Sequence, residues 1–257
     1  MGSIIPYFGG KSRLAKTIIK KFPDHSCYVE VFAGGASVFF TKDPSKTEIL
    51  NDLDKDLVTL YRVIKHHPEE LHRQFKFSLV ARSEFDRKKK IDPETLTDIQ
   101  RAANYLYLQR TAFGGFCTKQ TYGTCTTGKP RLNLLTLQTS LELAWQRLAH
   151  VQIESKDFRD LIPRYDRPHT LFFLDPPYWQ IPGYKHDFIE QDFIDLGNLL
   201  YKIRGKFIMT LNDTPEVRKI FQRFNVETVT LRYSIATTKK SRNKARTELL
   251  ISNYKLP

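Results

Sequence analysis

Residues 28–52 alternate in a way that few folds accept. Tyr28 to Phe32 reads as a short, mostly apolar strand, Ala33-Gly34-Gly35-Ala36 as a turn, and a helix begins near Ser37. A second strand at 47–50 runs into Asn51-Asp52, and Leu57, Leu60, Tyr61 and Ile64 give the next helix its apolar face. Strand, glycine turn, helix, then a strand ending in an acid is the opening of a doubly wound α/β unit. The rhythm returns after residue 150, with strands expected at 151–154, 169–174, 206–211, 226–232 and 247–254 and helices at 191–203 and 215–224. A helix is also expected at 11–22, beneath the turn Phe8-Gly9-Gly10, with Leu14, Ile18 and Ile19 on one face.

Residues 68–150 differ in character. They read as largely helical and basic, interrupted at 113–132 where Gly, Thr and cationic residues crowd together. The economical division is one α/β domain, 1–67 plus 151–257, with a basic helical module inserted at 68–150 that carries a hairpin near 113–132. The charge of the whole chain points to a class of partner. The chain has 41 Lys+Arg against 28 Asp+Glu, a net charge of +13, which favours a polyanionic partner, nucleic acid foremost. No apolar stretch approaches the roughly 20 residues that span a bilayer, and no signal-peptide pattern opens the chain. Cys27, Cys117 and Cys125 are odd in number and lack metal-ligand spacing, so the expectation is a reduced, cytoplasmic protein with no structural metal.

Chemistry concentrates at Asp175-Pro176-Pro177-Tyr178. Two prolines stop the apolar run 169–174 and leave Asp175 and Tyr178 at the carboxyl end of a strand, where open α/β sheets bind ligands. An amino group conjugated to a base is a poor nucleophile because its lone pair is delocalised into the ring. Acceptors that grip its N–H bonds help it pyramidalise. Asp175 offers a carboxylate, Pro176 a carbonyl, and Tyr178 a flat ring on which a base can stack. A strand-ending turn with a surface Asp is the plainer alternative.

Two glycine turns accompany this element. In Glu30-Val31-Phe32-Ala33-Gly34-Gly35-Ala36-Ser37 the backbone can approach a ligand closely, and Asp52 at the end of the next strand can accept from ribose hydroxyls. The pattern is short of a full GxGxxG, which suits a nucleoside ligand without pyrophosphate, such as S-adenosyl-L-methionine. Asp52 as a helix N-cap stands beside that reading. In Pro6-Tyr7-Phe8-Gly9-Gly10-Lys11, Lys11 can meet a ligand carboxylate and Tyr7 can lie against a ring.

Taken in order, the segments Pro6–Lys11, Val29–Ser37, Leu50-Asn51-Asp52 and Leu174–Trp179 resemble the Dam-type N6-adenine DNA methyltransferases, and the order itself is similar to the α group of amino-methyltransferases. The resemblance covers 4–60 and 151–254 well and the insert loosely. It implies a Rossmann-like methyltransferase fold with a mixed sheet and an inserted, mainly helical recognition domain. It implies that Tyr7, Lys11, Phe32, Gly34 and Asp52 line a pocket for S-adenosyl-L-methionine, with Asp157 and Phe158 at the cofactor adenine. Asp175, Pro176, Pro177 and Tyr178 would hold a target adenine flipped out of double-stranded DNA. Residues 206–213 resemble the strand flanking that pocket, and Tyr233-Ser234-Ile235 a later motif near the flipped base. A basic run follows it in Lys239, Lys240, Arg242, Lys244 and Arg246, either on phosphate or simply solvated.

Within the insert, Arg110 leads into Phe113-Gly114-Gly115-Phe116, which resembles the turn before the family's DNA-probing hairpin. A hairpin bearing Lys119, Tyr122, Lys129 and Arg131 can wedge an aromatic ring into the stack and present Arg to guanine, though Tyr122 and Phe116 can equally be core residues. The stretch 122–131 lacks the Pro-Phe-Gly-Arg/Lys pattern of the best-known members, so GATC recognition does not follow. The resemblance also carries a monomeric, bacterial, archaeal or phage-encoded enzyme and a companion restriction endonuclease. Two competing functions remain: methylation of RNA adenine or of cytosine N4, and a catalytically silent DNA-binding relative.

Overall fold

The computed structural model describes residues 2–232 and 245–257. Its centre is a seven-stranded sheet of β1 (Cys27–Glu30), β2 (Thr47–Asn51), β3 (Gln152–Glu154), β4 (Thr170–Leu174), β5 (Lys206–Asn212), β6 (Asn225–Arg232) and β7 (Ala245–Ser252), in the order β3-β2-β1-β4-β5-β7-β6. The first five run parallel, and β7 pairs antiparallel with both β5 and β6. The fold is therefore mixed α/β, with every expected strand present within two or three residues at its ends. Chain order reverses between β1 and β4. The carboxyl ends of those two adjacent strands are thus the topological switch point, where a crevice opens.

Each strand's alternate side chains feed two cores. On one face Tyr28, Leu50, Leu171 and Phe173 pack under α1 (Ala15–Ile19), α2 (Ser37–Thr41) and α3 (Lys55–His66). On the other, Val29, Ile49, Phe172 and Leu174 meet α8 (Phe158–Tyr165), α9 (Glu190–Leu200) and α10 (Pro215–Ile220). Fully burying each such side chain is worth about 1.5–3 kcal/mol. Because both faces are covered, β4 is buried at all five positions and shows in the sequence as an unbroken apolar run.

Residues 68–150 form α4 (Pro68–Arg73), α5 (Arg82–Lys89), α6 (Asp98–Thr111) and α7 (Leu137–Leu148). A capping box between Thr97 and Gln100 starts α6. Leu71, Phe85, Leu106, Leu141 and Leu148 share one core with Leu57, Leu60 and Ile64 of α3, so this unit is built onto the sheet layer through α3. Arg147 of α7 crosses back to β2. Its guanidinium bonds both oxygens of Glu48 and lies 3.7 Å from the Phe39 ring centroid.

Two expectations change. The helix foreseen at 11–22 is reduced to α1, because residues 11–14 form a turn in which Leu14 and Ala15 N–H both donate to the Lys11 carbonyl. The hairpin foreseen at 113–132 is not a two-stranded ribbon. A single bridge pairs Ala112 with Tyr122, and a 3₁₀ turn occupies Phe113–Gly115. Positive φ at Gly114, Gly115 and Lys119 breaks the extended backbone, and the Thr- and Gly-rich stretch has no alternating apolar face with which to build a ribbon. Tyr233-Ser234-Ile235 and the basic residues Lys239, Lys240, Arg242 and Lys244 lie outside the described residues, as does the side chain of Arg246.

Candidate active site

The glycine turn after β1 builds the floor of the crevice. Gly34 has φ +46°, and a Cβ there would stand 2.8 Å from the Tyr7 ring, so Tyr7 lies directly on this backbone. Asp52, just past β2, accepts from Gly34 N–H with one oxygen and from Asp54 N–H with the other, both at 2.9 Å. It ties the turn to the second strand while still lining the crevice. Asp54, not Asp52, is the N-cap of α3, accepting from Asp56 N–H. Burial pushes the Asp52 carboxyl up to about 6, against the two backbone bonds that lower it.

The result is a cleft at the carboxyl ends of β1, β2 and β4. Tyr7, Lys11, Phe32, Gly34, Asp52 and Phe158 all line it. Asp157 does not. It caps α8 and faces outward to the Arg159 guanidinium, which also bonds Asp192 and Asp195. Phe32, Phe158 and Phe188 form an aromatic cluster on one side of the cleft, with ring centroids 5.4–6.1 Å apart. Glu30 lies on the floor, buried, accepting from Tyr28 Oη at 2.7 Å and Phe39 N–H at 3.1 Å. Burial raises its carboxyl to about 8, with Asp175 adding to the rise.

Asp175 opens from the end of β4 into the same cleft, and two contacts fix its Oδ1: Lys11 Nζ at 2.8 Å and Thr210 Oγ1, which donates at 2.6 Å. Lys11 was expected to reach a ligand carboxylate. Its buried ammonium is instead paired with Asp175, donates to the Gly9 carbonyl and sits 4.7 Å from the Tyr178 ring centroid. Burial raises the Asp175 carboxyl while Lys11 and Thr210 pull it back. Pro176 and Pro177 are buried and Pro177 lines the cleft. The Tyr178 hydroxyl donates to Glu248 of β7 at 3.0 Å. Asn212 holds the next residue from both sides, accepting from Trp179 N–H and donating to its carbonyl.

Several of these groups were not singled out from the sequence. Glu30 and Thr210 carried a signal, each being a polar residue in an otherwise buried strand. The loop between Trp179 and α9 carried less. From it Tyr184, Lys185, His186 and Phe188 close over the cleft, and Lys185 Nζ bonds Asp54 at 2.7 Å and Asp56 at 2.5 Å. Asp56 also accepts from Arg101 of α6, and Asp54 from Tyr105 Oη, so cleft, loop and helical unit meet at one acidic pair. At the far end of α6, Gly115 has φ +70° and a Cβ there would stand 3.0 Å from the backbone of Pro6 and Tyr7. The Phe113–Gly115 turn is thereby seated against the amino-terminal turn.

The residues proposed from sequence for nucleic-acid contact separate. Lys119, Lys129 and Arg131 are exposed. Tyr122 instead packs on Phe85, with the Arg82 guanidinium 5.1 Å from its centroid, in keeping with the core alternative. Arg110 is half-buried at the end of α6. No group of His, Cys, Asp and Glu able to hold a metal ion, and no helix long and apolar enough to cross a membrane, occurs among the described residues.

A partly buried carboxylate beside an aromatic ring, at the switch point of a 3-2-1-4-5-7-6 sheet, agrees with comparison to known proteins. The family model described as D12 class N6 adenine-specific DNA methyltransferase matches residues 7–235. The chain belongs to that family. This methyltransferase is 25% identical to a type II methyltransferase of Lactococcus lactis subsp. cremoris, covering 96% of its own length and 93% of the relative's. It is 24% identical to a type II methyltransferase of Methanocaldococcus jannaschii over 97% and 98% of the two chains. It is 25% identical to the DNA adenine methylase of Escherichia coli K12 over 98% and 95%. The enzyme methylates adenine at N6 in DNA, which sets aside the readings as an RNA or cytosine-N4 methyltransferase and as a silent binding relative.

Proposed function

We propose that the cleft holds S-adenosyl-L-methionine and that Asp175 with Tyr178 holds an adenine flipped from double-stranded DNA. The observation that carries this is the state of Asp175, partly buried at the end of β4 with Lys11 and Thr210 both on Oδ1, so that Oδ2 carries no bond among the described residues and is left for a substrate amine. The residues fit the donor. Phe32, Phe158 and Phe188 offer a slot for its adenine, Asp52 an acceptor for ribose hydroxyls, and Glu30 a carboxyl for its ammonium end. When bound, the donor supplies a methyl group on positively charged sulfur, and the electron pair that leaves N6 for carbon is balanced by the pair returning to sulfur. Asp175 Oδ2 accepts one N6–H, and the Pro176 carbonyl the other. Positive charge developing on N6 is met by the Asp175 carboxylate, and the proton released leaves along that hydrogen bond. Positioning and fixed charge supply the catalysis.

Residues 68–150 serve in this proposal as the recognition unit, with Arg110, Lys119, Lys129 and Arg131 toward DNA. Two relatives are named type II methyltransferases, and a restriction endonuclease sharing the recognition sequence belongs to the same proposal. The test is tritiated methyl transfer from S-adenosyl-L-methionine to unmethylated plasmid DNA, with the modified base and its flanking sequence identified. Labelled N6-methyladenine at one short motif is the expected result. Stoichiometric DNA binding with no label transferred from this donor would overturn it.

A further inference from the structure

Three polar side chains on one face of β5 and β7 hold the segment 175–179 from outside it. Thr210 of β5 donates to Asp175 Oδ1, and Asn212 of β5 bonds both backbone groups of Trp179. Glu248 of β7 accepts from the Tyr178 hydroxyl at 3.0 Å. Thr210 and Asn212 stand two residues apart on one strand, and Glu248 is the register partner of Asn212, so the sheet itself sets the spacing of the three. Glu248 stands out among them. It is only 4% exposed, it directly precedes the buried apolar run Leu249–Ile251, and it does not line the donor cleft. A carboxylate is costly to keep in such a place unless it is bonded, and one bond it makes there is to Tyr178.

Resting on the reading of Tyr178 as the platform for the flipped adenine, we propose that Glu248 fixes the plane of that platform and is thereby a positioning residue for methyl transfer. The last torsion of a tyrosine is broad, so the ring can turn about its own axis. A phenolic O–H prefers the plane of its ring. An acceptor fixed on β7 therefore resists rotation of the ring as well as displacement of its tip. The Lys11 ammonium, itself paired with Asp175, lies 4.7 Å from the ring centroid. Ring and Asp175 carboxylate are thus held relative to each other, and a base stacked on the ring presents its amine to Asp175 in one orientation. In-line transfer depends on that alignment, and a misplacement of about 1 Å can cost about a hundredfold in rate.

The test follows single-turnover methyl transfer, and the fluorescence of 2-aminopurine placed at the target adenine, with the full chain and duplexes containing its recognition sequence. Glu248→Leu should slow transfer about tenfold to a hundredfold, while affinities for donor and DNA change little. Bound 2-aminopurine should be brighter than with the wild type, because stacking on Tyr178 quenches it and the loosened ring stacks less. Glu248→Gln keeps an acceptor and should recover most of the rate. Tyr178→Phe should be slowed to a similar extent as Glu248→Leu, and combining the two should cost almost nothing more. An unchanged rate in Glu248→Leu would overturn the proposal, as would losses that simply add in the double variant. Should Glu248→Leu fail to fold, Tyr178→Phe decides, because the hydroxyl is the route from Glu248 to the ring: wild-type rate and fluorescence there would overturn it. Failure of the platform reading would look different, since even Tyr178→Ala would then leave rate and fluorescence unchanged.

Discussion

The amino-terminal turn separates two clefts of opposite character. One is lined by Glu30, Asp52, Asp54 and Asp175 together with Lys11, Lys156, Lys185 and aromatic rings, the other by Lys11, Arg13, Arg110 and Arg131 without an acid among the described residues. A cationic methyl donor and an anionic strand would thus approach a single reacting nitrogen from two sides of the same wall. Glu30 and Asp54 are buried, Asp52 is tied to backbone and Asp175 is held by Lys11 and Thr210, whereas Lys119, Lys129 and Arg131 are exposed. Chemistry needs fixed charge. Recognition of DNA leaves room for a surface that adjusts on contact.

The sharpest way to break this division is at Asp175. Asp175→Ala should lower single-turnover methyl transfer by about a thousandfold or more while affinity for the donor changes little, checked by rapid quench and calorimetry. Near-normal turnover would remove Asp175 from its role. Gly34→Val comes next. With φ +46° and Tyr7 only 2.8 Å from the added Cβ, donor affinity should fall by about tenfold or more and thermal stability should drop, read by calorimetry and melting.

Glu30→Gln should separate stability from binding. The folded protein keeps the Glu30 proton up to about pH 8, whereas the unfolded chain releases it near the ordinary value of 4.5. The stability this group contributes is fully present below that ordinary value and is lost as pH rises through about 8. Gln keeps an acceptor for Tyr28 and Phe39 but does not titrate. The variant's melting temperature should therefore overtake the wild type's progressively between pH 4.5 and 8, while its donor affinity is weaker throughout. A constant gap across that range would contradict a buried neutral acid. Smallest should be Lys185→Ala. It loosens the loop over the cleft and should raise the KM for the donor about three- to tenfold with kcat nearly unchanged, since the lysine is well exposed even though Asp54 is not.

The sheet was legible because strands covered on both faces appear as apolar runs between turns, as in 169–174, and the site was legible where glycine, acid or proline marks a strand end. The partnership of Lys11 with Asp175 was not. The two are far apart in sequence and meet only through sheet topology, so no local pattern announces them. The packing of Tyr122 on Phe85 escaped for the same reason. Asp157 misled because a DF pair at a helix start serves equally as an N-cap, and here Phe158 alone turns inward. At 113–132 the turn-forming residues marked where the chain reverses but not how far its two sides pair, which is limited to the bridge between Ala112 and Tyr122.

The most direct test of two separate clefts is to measure donor and DNA affinities of the same wild-type enzyme between about 50 and 200 mM salt. The division predicts a steep, log-linear loss of DNA affinity and a nearly flat donor affinity. Parallel slopes for both ligands would contradict it, because the donor would then share the exposed cationic surface instead of occupying the buried acidic cleft.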